Sequence, residues 1–355
     1  MQKKLSLADS NHFMNISLAI ILLVIGVWVL IIGKPIILPL LMALFLSFIL
    51  DPLVQLLVRL KIPLGIAVFL TLILSFVVLY LLGLLVYANV QNFVGQFPVY
   101  QERMLESVAD LIQKLETWMG EPLNVQVWKK INWIETLQDY SIAKGVLSSV
   151  GTFLTFLAKM LIVTVFIAYF LTSKRSVTNK IRLAFEPDQS QRIVTIIENV
   201  TGQIQKYLGA KTITSFITGS LSIIVFYFFG LDFAIFWGFL VFIFNFIPNI
   251  GSIVASLLPV IFSLVQIGSM PVAFWLLICM GIIQFSIGNV LEPRIMGRTL
   301  NLSPMIVILS LIFWGYIWGV AGMVLAVPIM ATVTIVFENF DSLRFLSVFL
   351  RGNIK

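Results

Sequence analysis

The chain has 355 residues, of which 60% are hydrophobic and only 11% charged, against roughly 25% charged in an ordinary soluble domain. Its mean hydropathy is +1.05, and several apolar runs approach the roughly 20 residues a helix needs to cross about 30 Å of hydrocarbon. A water-soluble fold is excluded, and a polytopic all-α integral membrane protein is predicted, with the lipid bilayer as its first partner.

The net charge of +7 is spread between apolar runs rather than gathered on one basic surface. It therefore predicts membrane orientation and no nucleic-acid partner. One cysteine, Cys279, and one histidine, His12, exclude a disulfide framework and leave no cluster to hold zinc or haem, so no metal and no cofactor are expected. Cys279 reads as a small buried hydrophobe. His12 reads as a solvated or headgroup-level residue.

In chain order, residues 1–94 form an amino-terminal group of spans. The first run, Ile16 to Gly33, follows a short basic tail without a cleavage pattern and reads as an uncleaved span. A Gly33, Lys34, Pro35 break leads to a second run that ends at Asp51 and Pro52. A loop with Arg59 and Lys61 leads to a third, from Pro63 to about Val94. Pro35 and Pro63 suit helix starts, where the missing N–H would have no partner in any case.

Residues 95–149 hold five Lys/Arg and seven Asp/Glu and read as an extramembrane insert. Within it Met104, Leu105, Val108, Leu111, Ile112, Leu115, Trp118 and Met119 recur at helical spacing. Residues 150–172 form a fourth span containing Lys159, which is expected to reach the interface unless a buried partner meets it. Residues 173–211 carry seven Lys/Arg against three Asp/Glu and read as a basic amphipathic linker. Its apolar seam comprises Ile193, Ile197, Val200, Ile204 and Tyr207. By the positive-inside rule both termini, the Arg59/Lys61 loop and this linker face the cytoplasm, and the 95–149 insert lies outside.

Residues 212–338 read differently, as a core of about eight membrane-embedded elements counted with those before it; residues 339–355 are a cytoplasmic tail. The stretches FNFIPNIGSIVASLLPVIFSLVQIGSMP (244–271) and 304–338 are apolar but interrupted by Pro248, Gly251, Pro259, Gly268 and Pro271, and by Gly315, Gly319, Gly322 and Pro328. Positive charge on both sides makes each stretch a hairpin that starts and finishes on the same face. Whether its arms cross fully or turn back halfway stays open. Unwound backbone at membrane depth is tolerated only where protein buries it or water lines it. Paired Gly/Pro-broken hairpins therefore point to a transporter's solute site, and the alternative is that the glycines only permit close helix packing.

Between the hairpins, GNVLEPRIMGRTLNLSP (288–304) places Glu292, Arg294 and Arg298 on one linker. Pro293 is expected to end one helix, and Ser303 with Pro304 to cap and start the next. Glu292 is close enough in sequence to pair with Arg294 or Arg298, so the linker reads as a gate or as a topology anchor.

The strings 244–259 and NVLEPRIMGRTLNLSPMIVILSLIFWGYIWGVAGMVLAVP (289–328), with the DPL stretch at Asp51–Leu53, resemble the signature regions of the autoinducer-2 exporter family of permease-like membrane proteins. The resemblance implies an inner-membrane exporter of a small polar quorum-sensing furanone, assembled as a homo-oligomer, with pentamers the known form. Some members of the family are associated instead with sodium or lithium efflux in exchange for protons. Asp51, Asp232 and Glu292 all fall at predicted helix ends, leaving no mid-span acid for proton coupling. Asn245, Asn249, Ser252, Gln284 and Asn289 offer uncharged donors and acceptors near the breaks. The expected solute site is accordingly Asn245, Pro248, Asn249, Gly251, Ser252 and Asn289, gated by Glu292, Arg294 and Arg298. No GxSxG or Walker A motif is present, so neither an enzyme nor an ATP-driven pump is expected. A nontransporting scaffold is the remaining class.

Overall fold

The computed structural model describes residues 7–119, 142–296, 302–340 and 343–352. Arg298 and the Gly120–Pro122 turn lie outside the described residues. The side chains of His12 and Lys159 lie outside the description as well. All named elements are helical, and one isolated antiparallel bridge joins Leu302 to Arg351.

Helices α1 (Leu7–Ile32) and α2 (Lys34–Arg59) are separated only at Gly33, with Pro35 in the first turn of α2. Contrary to the expected stop at Asp51–Pro52, α2 continues through Pro52. It ends instead where Ile62 N–H bonds the Leu57 carbonyl and Lys61 N–H bonds Val58, the paired closure of a helix terminus. Helix α3 (Leu64–Met119) is one 56-residue rod, about 84 Å long, so the insert's amphipathic stripe is an extension of the third span. Helix α4 (Ile142–Ala184) bends by 57° between Met160–Lys174 and Ser176–Ala184. Helix α5 (Pro187–Phe228) carries the basic stretch directly into the next apolar run without a break at Lys211.

Then come α6 (Ala234–Phe244), α7 (Ile250–Ile267) and α8 (Met270–Met296), the last with a π turn at Ile287–Leu291. Helices α9 (Pro304–Trp318), α10 (Val320–Asn339) and α11 (Arg344–Leu350) complete the chain. Among the described residues, six helices are long and apolar enough to cross a membrane, seven if the bent α4 counts as one; α6 and α9 are shorter apolar helices. At 11 residues α6 is about 16 Å long, roughly half the hydrocarbon thickness.

The breaks are fewer than the prolines and glycines suggested. Pro259 and Pro328 lie inside continuous helices, and the interruptions fall at Asn245–Asn249, Gly268–Ser269 and Gly319. Lipid gives apolar helices little reason to associate, so close backbone approach and internal hydrogen bonds decide which pairs form. A Cβ on Gly251 would lie 1.8 Å from the Phe244 carbonyl oxygen, and one on Gly322 2.0 Å from that of Trp314. These glycines therefore serve the close-packing role at the α6/α7 and α9/α10 reversals.

Four clusters position the parts. Phe226, Trp237, Phe262, Leu276 and Met280 fill the interior between α5, α6, α7 and α8. Ala43, Val54, Ala67, Val68, Ile167 and Leu171 join α2, α3 and α4. Phe45, Ile204, Tyr207, Leu325 and Val327 link α2 to α5 and α10. Ile247, at the α6/α7 break, packs on Leu311 and Ala326 of the last hairpin. Large exposed apolar side chains on α1–α3, among them Leu23, Trp28, Phe69 and Phe76, give that part a surface suited to lipid.

Candidate functional site

The α6/α7 break is built from short-range forces. The Asn245 N–H still bonds Val241, after which Phe246 and Ile247 turn back on Ile243 and Phe244. Pro248 breaks the ladder because it has no N–H, and Asn249 takes φ +59°, ψ −60°. That backbone lies outside the left-handed helical well: with the Ile250 N–H bonding the Pro248 carbonyl it forms a tight γ-turn, which costs roughly 1–3 kcal/mol. Asn245 is buried and its Nδ2 donates to Ser215 Oγ of α5 at 3.0 Å. Ser252 Oγ donates to the Asn249 carbonyl at 2.8 Å. The Asn249 side chain is exposed and makes no hydrogen bond among the described residues, and Gly251 is buried against Phe244.

The expected gate is arranged differently from the sequence expectation. Pro293 does not end α8. Glu292 N–H reaches the Ile287 carbonyl, five residues back, and the resulting π turn carries the helix on to Met296. Glu292 pairs with neither Arg294 nor, within the described residues, any other arginine. Its Oε1 and Oε2 accept from Lys211 Nζ at 2.8 and 2.9 Å, with the side chains 20% and 5% exposed. Arg294 is exposed, and Asn289 Nδ2 donates to the Phe285 carbonyl at 3.2 Å on an exposed face. Ser303 occupies the cap position of α9 with Pro304 following, but its hydroxyl makes no cap bond. The Ser303 N–H is held by the Leu350 carbonyl instead.

A second polar centre lies on α2. Asp51 is buried inside that helix, and its Oδ2 accepts from Gln55 Nε2 at 2.9 Å, Lys174 Nζ at 3.0 Å and Gln205 Nε2 at 2.7 Å. One carboxylate oxygen thus ties α2 to α4 and α5. Asp51 and Lys174 line two cavities. One, of about 880 Å³, lies among α2, the start of α3 and α4. The other, of about 550 Å³, lies among α2, α4, α5 and α10, with Ser47, Thr201, Gln205 and Thr332 in its wall. None of the expected solute-site residues lines either cavity.

At the opposite end Gln266 Oε1 accepts from Asp232 N–H at 2.8 Å and its Nε2 donates to the Gly230 carbonyl at 3.0 Å. The Tyr100 hydroxyl donates to Asp232 Oδ2 at 2.8 Å, and Arg103 Nη1 donates to the Gln266 carbonyl at 2.9 Å. Burial pushes the Tyr100 phenol up from its ordinary value, and the Asp232 carboxylate that holds its proton pushes it further. Among the described residues no three His, Cys, Asp or Glu side chains cluster as a metal site.

The sequence pattern of the family described as AI-2E family transporter matches residues 18–342. The chain belongs to that family. A Borreliella burgdorferi protein named as a candidate transport protein is 32% identical over 267 residues, which cover 75% of this chain and 70% of the relative. A similarly named Haemophilus influenzae protein is 29% identical over 74% of each. The AI-2 transport protein TqsA of Escherichia coli K12 is 40% identical over 156 residues, 43% of this chain and 44% of that protein.

For this AI-2E family transporter, the structure brings Asn245, Pro248, Asn249, Gly251 and Ser252 together at one break. It places Glu292 in an interior ion pair and leaves Asn289 and Arg294 on exposed faces. Sequence reasoning missed Lys211, Asp51, Lys174 and Gln205. Lys211 had been counted among the topology-setting cations. The available signal is that the apolar part of α5 follows this lysine with no helix stop before it. Pro52 suggests a helix end at Asp51, yet the following LVQLLVR continues the helical pattern.

Proposed function

We propose that the chain exports a small polar solute, of the class of autoinducer-2, across the inner membrane, with both termini on the cytoplasmic side. The break at Asn245–Asn249 is the observation that carries this reading. Here two helices stop inside the apolar part of the chain, next to a buried Asn245–Ser215 contact and an unpartnered Asn249 amide. Helix interruptions of this kind put backbone and amide groups where a hydroxyl-rich solute can hydrogen-bond. Gln284 Nε2 on α8 is a further buried donor without a hydrogen-bond partner among the described residues. The Lys211–Glu292 pair serves as the gate in place of an arginine-based one. Membership of the AI-2E family and the TqsA similarity support the solute class. The family resemblance supports a homo-oligomer, with a pentamer as the expected form.

A second reading, sodium or lithium exchange for protons, gains from the finding that Asp51 and Glu292 lie within helices rather than at their ends. Both carboxylates are occupied by lysine in this structure, which favours a solute carrier over an open cation site. Protein reconstituted in liposomes, assayed side by side for furanone release and for sodium-dependent proton movement, tests the proposal. Furanone release abolished by Asn249→Ala supports it. Proton movement alone, or inactivity in both assays, overturns it in favour of an antiporter or a scaffold.

A further inference from the structure

We infer that the 880 Å³ cavity between α2, the start of α3 and α4 holds the headgroup of an anionic phospholipid. The cavity is lined by Arg59, Lys61 and Lys174 with a single carboxylate, Asp51. Lys174 neutralises Asp51 at 3.0 Å, while Arg59 and Lys61 are exposed and make no ion pair among the described residues. Two uncompensated cations therefore face the same space. Asn179, in the same wall, is exposed and makes no side-chain hydrogen bond among the described residues.

The position argues for a lipid rather than a soluble anion. The cavity lies where the span Lys34–Arg59 ends and the span Leu64–Asn89 begins, which is the level of the headgroups. Its other walls are apolar, formed by Val54, Val58, Ile62, Pro63, Leu64 and Leu171. Leu56 and Leu60, next to it in sequence, are exposed. A phosphate could meet the cations while its acyl chains lie along the apolar side. Basic pockets between spans on the cytoplasmic side, where the positive-inside rule puts this loop, suit anionic headgroups.

The loop backbone supplies an independent clue. Lys61 adopts φ +66° at the helix-terminating position that glycine ordinarily fills. A lysine stands where glycine would fit with less strain, and it lines the cavity. Lys61→Gly therefore removes the charge while suiting the native backbone, which separates binding from folding. The inference is independent of which solute the protein carries.

Full-length protein is purified in detergent and its thermal unfolding followed with phosphatidylglycerol, phosphatidylcholine or inorganic phosphate added. Bound phospholipid is counted by native mass spectrometry. Phosphatidylglycerol is expected to stay bound and raise Tm, and phosphatidylcholine not to. Arg59→Gln and Lys61→Gly are each expected to weaken phosphatidylglycerol binding about fivefold, with Lys61→Gly unfolding no earlier than wild type in lipid-free detergent. Lys206→Gln, an exposed cation outside the cavity, should bind as wild type does. Equal binding of the two lipids, or wild-type phosphatidylglycerol affinity in both cavity variants, overturns the proposal. So does equal stabilisation by inorganic phosphate, which would make this a site for free anions.

Discussion

Removing either partner of the Lys211–Glu292 pair should destabilise the protein, and the two losses should be unequal. At an effective dielectric of about 20, unit charges about 3 Å apart attract by roughly 5 kcal/mol, and desolvating both groups cancels most of that. The larger effect is the charge left behind, about 3 to 5 kcal/mol for a fully buried pair. Glu292→Leu strands Lys211, whose side chain is 5% exposed, and should sit near the top of that range. Lys211→Met strands Glu292, which is 20% exposed and keeps some solvent, so about 2 kcal/mol is expected. The double variant leaves no orphan charge and should recover most of the loss. Unfolding by denaturant in detergent, read as a double-mutant cycle, gives the coupling. Single losses that add in the double variant within about 0.5 kcal/mol, or a costlier Lys211→Met, would refute the argument.

Gly251→Ala and Gly322→Ala each place a methyl within 2.0 Å of a backbone carbonyl oxygen, which no side-chain rearrangement relieves. Each should cost about 3 kcal/mol or more and appear as lost monodisperse protein in size-exclusion chromatography. Asn249→Gly relaxes the φ +59° backbone and should hold or raise stability by up to about 1 kcal/mol. It should nevertheless lower solute flux in liposomes, because the exposed amide is gone. Tyr100 has a raised pKa in the folded protein, so its stabilising effect is fully present below the unfolded value near 10 and is lost as pH rises through the folded value. The alkaline loss of Tm attributable to this phenol should be absent in Tyr100→Phe, measured across the alkaline range.

The helices themselves were legible because apolar run length and proline at first turns are local signals. Pro35 and Pro304 both stand where helices begin. The positions of the stops were less legible. Pro52, Pro259 and Pro328 lie within continuous helices, since neighbouring helices and side-chain hydroxyls can satisfy a carbonyl that a proline leaves free. The break at Asn245–Asn249 could be read from Pro248 beside two asparagines. The partners of Glu292 and Asp51 could not be read, because Lys211 is 81 residues from Glu292 and Gln205 is 154 from Asp51 in the chain. Local spacing favoured Arg294, which the helix instead turns outward.

Helix α5 lines the 550 Å³ cavity and also contacts the break. Three contacts follow one another along it: Gln205 to Asp51, Lys211 to Glu292, and Ser215 to Asn245. At about 100° per residue, Lys211 and Ser215 lie about 40° apart and share a face turned to α8 and α6. Gln205 lies about 120° away from Lys211, facing α2. One wall therefore divides the 550 Å³ cavity from the ion pair and the break. A solute passing between them must go around α5 or require it to move against α2 or α8. The groups that resist such movement are Asp51 on one face and Glu292 on the other, each held by a lysine and each able to re-form its contact. This arrangement supports the proposal that the ion pair, rather than the arginines of the 288–304 linker, gates transport.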